Sequence, residues 1–128
     1  MTELRPFVKQ VHQVYSAIAR KIEELIVSLN EAEHDDEHIQ ELSRHINSFL
    51  GRLERSVKIE WKSAVKALKN QTKARFLGSL QRELQKIKEL EAYVTLASRK
   101  PRPDIIRKIH ALYREVDDEI NAQEALAA

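Results

Sequence analysis

His34 and His38 stand four residues apart, with Asp35, Asp36 and Glu37 between them. On a helix the two imidazoles would share one face, at a separation that suits a divalent cation. Glu31 and His34 also have the Glu-x-x-His spacing used by carboxylate di-metal bundles. That chemistry needs two such motifs projecting into a core, and this chain offers one, in a polar stretch. The plainer expectation is a solvated acidic turn. His34 and His38 are then only candidate ligands, and no metal or cofactor is expected. His45 lies beside apolar Ile46. Phosphate-relay bundles use an exposed His next to Lys and Gly. His45 to Gly51 lacks the adjacent Lys, so a partly buried, hydrogen-bonded imidazole is expected. His12 and His110 read as boundary residues.

Other catalytic arrangements are missing. The chain has 0 Cys, hence no thiolate nucleophile, no disulfide framework and no thiolate metal site. It has no Gly-rich phosphate loop and no GxSxG elbow, and no Ser or Thr is paired with a His. Nucleophile, base and orienting group are not assembled anywhere, so an enzyme is not expected.

Charge carries more information. Eight acids and no Lys or Arg lie between Ile22 and Ser43. From Arg52 to Arg75 the balance reverses: eight basic residues against Glu54 and Glu60, a net of 8 − 2 = +6. Within that block Arg52, Arg55, Lys62, Lys66, Lys69 and Lys73 recur at helical spacing, with Ile59 filling the one gap. Such a line would lie opposite the apolar stripe and extend about 30 Å at 1.5 Å per residue. It suits a polyanion, either nucleic-acid phosphate or an anionic membrane surface. It equally suits a solvated face partly neutralised by acids elsewhere. No aromatic residue interleaves the line, which disfavours stacking on single strands.

These residues need elements to hold them, and every element reads as helix. With 2 Gly and 3 Pro in 128 residues, loops and strands are disfavoured. Leu4, Val8, Val11, Tyr15, Ile18, Ile22, Leu25 and Leu29 alternate spacings of four and three, an unbroken heptad stripe. Phe7, Val14 and Ile26 widen it to the face of a bundle helix. A second helix follows Asp35 or Asp36 as N-cap, with Ile39, Leu42, Ile46, Phe49/Leu50, Leu53, Val57, Trp61, Ala64/Val65 and Leu68 inward. A turn is expected at Asn70-Gln71-Thr72. The alternative is one helix from Asp36 to Arg99, which would need a second chain. Phe76/Leu77, Leu80, Leu84, Ile87, Leu90, Val94 and Ala97 mark the third helix. Pro101-Arg102-Pro103 breaks it. Ile105/Ile106, Ile109, Leu112/Tyr113, Val116 and Ile120 mark the fourth, with Asn121 to Ala128 frayed.

The expected fold is therefore all-α: one domain over 1–128, an antiparallel up-down-up-down four-helix bundle with helices near 3–30, 36–69, 72–99 and 103–122, and an extended second/third helix pair as a variant. In that topology the acidic first loop shares a pole with the basic segment Arg99 to Lys108. The acidic end of helix four (Glu115, Asp117, Asp118, Glu119, Glu124) meets the basic block at the other. The charge blocks would then fix the topology, bind a partner, or both. A homodimer is expected, because the second helix outlasts the fourth and Phe49 to Leu53 or Trp61 to Leu68 would otherwise go uncovered. The first ten residues show no signal-peptide core and no uncharged run is long enough to span a bilayer, so a cytoplasmic location is expected. The expected function is a non-enzymatic helical interaction module that binds protein partners through helix faces. A nucleic-acid-binding accessory protein is the alternative, and a small enzyme or metal-binding bundle comes third.

Overall fold

The stripe that begins at Leu4 folds as anticipated. In the computed structural model, which describes residues 4–31 and 35–127, helix α1 runs Arg5–Leu29 and buries Val8, Val11, Tyr15, Ile18, Ile22, Leu25 and Leu29. Pro6 falls in its first turn, where a missing N–H is harmless. Helix α2 spans Asp36–Ala67. Asp35 caps it by accepting the His38 backbone N–H at 3.2 Å, and Asp36 and Glu37 sit at the positive end of the helix dipole. Helices α3 (Asn70–Arg99) and α4 (Pro103–Ala127) complete the chain, and the described residues contain no strand.

The break between α2 and α3 lies two residues before the expected turn. Leu68 and Lys69 are extended, with ψ of 157° and 156°, and Asn70 takes φ 59°. Leu68 is buried and pins the end of α2, while Asn tolerates the left-handed region at low cost. The reversal is complete by Asn70, so Gln71 and Thr72 enter the first turn of α3 rather than forming the turn. The continuous helix from Asp36 to Arg99 does not form. The end of the chain also departs from expectation. α4 continues to Ala127 instead of fraying at Asn121, because Gln123 and Ala127 are buried and extend its inward stripe by two turns.

α1 packs on α2 and α4, and α3 packs on the same two helices, with α1/α3 and α2/α4 on opposite corners. This is the antiparallel four-helix bundle. One core runs through all four helices, from Leu4 and Phe76 to Leu29 and Ala97. Leu50, Leu53, Val57, Ala64 and Leu68 are covered inside this single chain, whereas Phe49 and Trp61 are half-buried and Val65 is exposed. α4 is longer than its apolar stripe suggested, and α2 still outlasts it by 32 − 25 = 7 residues. Among the described residues, no helix is long and apolar enough to cross a membrane.

Candidate functional site

Side chains on α2 follow the helical period, and the basic residues fall where burial is least. Arg52, Arg55, Lys58, Lys62 and Lys66 are exposed, and Ile59 in their midst keeps 53% of its surface in water. Lys58 pairs with Glu54 one turn earlier at 3.3 Å, and the Arg52 guanidinium lies 5.6 Å from the centre of the Phe49 ring. Arg55, Lys62 and Lys66 form no ion pair among the described residues.

The line is shorter than the sequence implied. α2 ends at Ala67, so Lys69 belongs to the turn and Lys73 to α3, where it is half-buried. Arg52 to Lys66 spans about 21 Å at 1.5 Å per residue. Beside it, between α2 and α3, Trp61 and Leu84 floor a shallow groove rimmed by Lys58, Lys62 and Gln81. Trp61 was expected in the core. It is instead half-buried at the helix–helix boundary, because Glu60 takes the inward position.

The acids of α4 do not neutralise this face. Glu119 accepts from Arg82 Nε at 2.9 Å and Glu115 from Lys86 Nζ at 3.1 Å, both on α3. Glu124 lies 2.9 Å from His12 Nδ1 on α1. The reason is topological: α4 is diagonal to α2 and flanks α1 and α3. At the opposite pole, no ion pair among the described residues joins the first loop to the third. Arg102 pairs locally with Asp104 at 3.3 Å.

The histidines do not converge. His34 lies outside the described residues. His38 is exposed, with Nε2 3.9 Å from Glu24 Oε1. His45 is exposed rather than partly buried, since Leu42, Ser43 and Ile46 take the inward positions of that turn. His110 stacks edge-on against Tyr113 at 5.4 Å. Among the described residues no three His, Asp or Glu side chains are placed to hold a metal ion.

The most unusual feature of the interior went unread in the sequence. Glu60, Ser79, Glu83 and Gln123 are buried in the half of the bundle that holds the α2–α3 turn. Gln123 Nε2 donates to Glu83 Oε1 at 2.8 Å and to Ser79 Oγ at 3.1 Å. Ser79 Oγ in turn donates to Glu119 Oε1 at 2.9 Å. Both oxygens of Glu60 and Oε2 of Glu83 lack a hydrogen-bond partner. Burial, reinforced by the repulsion of Glu83, pushes the Glu60 carboxyl up to about 8. Burial also pushes Glu83 up to about 7, opposed by its hydrogen bond from Gln123 and aided by the charge of Glu119. The signal was present in the register. Glu60 lies three residues after Val57 and four before Ala64, the spacing of an inward position, and Gln123 lies likewise between Ile120 and Ala127. Neighbouring Trp61 and Leu84 offered apolar alternatives at the same turns and masked Glu60 and Glu83.

No family model, curated protein or solved structure matches the chain.

Proposed function

We propose that this protein is a non-enzymatic interaction module whose working surface is the basic face of α2, and that its partner is an acidic protein segment. One observation carries the reading: Arg55, Lys62 and Lys66 stand exposed on a helix whose inward face is packed, and no acid among the described residues engages them. A fixed row of unpaired charge favours encounter with an oppositely charged surface and sets its register. The groove floored by Trp61 and Leu84 beside that row favours protein over nucleic acid, because an amphipathic helix has an apolar face to lay there and a phosphate backbone has none. A cytoplasmic setting fits a chain with 0 Cys.

The test is affinity capture with the wild-type chain and with a variant carrying Lys62→Glu and Lys66→Glu, each with and without nuclease. A bound protein that survives nuclease and is lost with the double variant supports the reading. Material that vanishes with nuclease replaces it with the nucleic-acid reading. In that case about four phosphate contacts would give a log–log salt slope of about −3 to −4 on a DNA duplex. Equal capture by both chains removes the α2 face from the function.

A further inference from the structure

The buried polar cluster has too many acceptors. Glu60 Oε1 and Oε2, Glu83 Oε2 and Gln123 Oε1 are all sealed from solvent without a partner. The donors beside them are engaged: Gln123 Nε2 with Glu83 and Ser79, Ser79 Oγ with Glu119, and Arg82 Nε with Glu119 Oε2 at 2.9 Å.

The two carboxyls are buried at one level of the α2–α3 hairpin, near enough that charge on Glu83 repels charge on Glu60. Asn47 Nδ2 donates to Thr95 Oγ1 at 2.8 Å and fixes the register of these helices. Glu60 lies 60 − 47 = 13 residues beyond the first and Glu83 lies 95 − 83 = 12 before the second. Both therefore sit about 18–20 Å along the pair, at the same height.

Among the described residues no positive charge offsets these carboxyls. From α4, Glu119 adds repulsion to Glu83 and Gln123 is uncharged. From α3, Arg82 is directed to Glu119. From α1, Tyr15 is a neutral phenol that donates to the Tyr113 carbonyl. On α2, Lys58 and Lys62 are exposed on the outer side. No Lys or Arg among the described residues pairs with either carboxyl. Two ionised carboxylates buried together with one donor between them, Gln123 Nε2 on Glu83, are strongly disfavoured, and a bound proton removes a charge and adds a donor at once.

We propose that Glu60 and Glu83 form a proton-holding site, a buried pair of carboxylic acids on α2 and α3 whose ionisation loosens the end of α4 held by Gln123. The ligand is the proton itself. Gln123 is the link, because its amide joins Glu83 to Ser79 and so ties α4 to the pair. Charge on Glu83 and Glu60 draws water into this layer, and the last turns of α4 are the segment that must yield to admit it.

The direct test is carbon-detected NMR titration of all glutamate carboxyl carbons in the full chain. Two of them, Glu60 and Glu83, are expected to titrate with midpoints above pH 6. Midpoints below pH 5.5 for both would overturn the proposal. Repeating the titration with millimolar magnesium, calcium or zinc separates proton from metal. If a cation moves both midpoints below pH 5.5, a cation site replaces the proton site. Amide hydrogen exchange across 119–126, corrected for intrinsic rate, reads the coupling. Protection is expected to fall at least tenfold from pH 6 to pH 9 in the wild type, and to hold within twofold in the Glu60→Gln, Glu83→Gln double variant. Equal losses in both chains would overturn the link to α4. The wild-type titration decides the site even where the double variant does not fold.

Discussion

Tyr15 on α1 donates its phenolic hydroxyl to the backbone carbonyl of Tyr113 on α4, a side-chain clasp across 98 residues of sequence. Tyr15 is almost wholly buried, and its burial together with the charge of Asp117 holds the phenol above its ordinary range, so it remains a donor at all physiological pH. The bond fixes the rotation of α4 against α1. Tyr15→Phe keeps the packing and removes the donor, leaving a carbonyl that still accepts within its helix. A loss of about 1 kcal/mol is expected in urea unfolding. Tyr15→Ala adds a cavity and should cost about 3 kcal/mol or more.

The Glu60–Glu83 pair gives stability an unusual pH dependence. Both carboxyls titrate higher in the folded chain, about 8 and about 7, than at their ordinary value of 4.5. A raised carboxyl contributes fully below the unfolded value and loses that contribution as pH climbs through the folded one. From about pH 4.5 the unfolded chain releases protons that the folded chain keeps. Stability should therefore fall as pH rises from about 5 to about 8. Urea midpoints measured from pH 5 to pH 9 check this. A flat or rising profile would contradict the burial of these two groups in neutral form.

Lys62 and Lys66 carry the proposed function without supporting the fold. Neither has an ion-pair partner among the described residues and both are exposed. Replacing both by Glu should change stability by no more than about 0.5 kcal/mol per site. Thermal unfolding of the double variant is the control that any loss of capture requires.

Asn70 resolves the turn between α2 and α3 at φ 59°. Asn70→Ala should cost about 1 kcal/mol, since Ala pays the full penalty of the left-handed region, while Asn70→Gly should be close to neutral. Equal effects from the two substitutions would show that the side chain of Asn70, and not its backbone geometry, matters there.

Gly51 offers the opposite case. It lies inside α2 at negative φ, and an added Cβ would meet only the Arg55 guanidinium, at 3.7 Å. Gly51→Ala is therefore expected to raise stability by about 0.5–1 kcal/mol, read as an upward shift of the melting temperature.

The sequence by itself determined the helices, their order and most of the core. Leu4 to Leu29 and Ile105 to Ile120 were legible because burial of one face imposes a period on nearby residues, and a period is local information. The exposure of Arg52 to Lys66 followed from the same period. Tertiary structure decided the rest. Whether Glu60 or Trp61, and Glu83 or Leu84, turned inward depended on what α3 and α4 presented across the core. Gln123 supplied a donor there for Glu83 and no sequence period encodes that. The partners of the α4 acids depended on which helices share an edge, so Glu119 met Arg82 rather than the α2 lysines. The continuation of α4 past Asn121 likewise followed once Gln123 and Ala127 had neighbours to bury them, because helix stability in such a segment comes from packing more than from propensity.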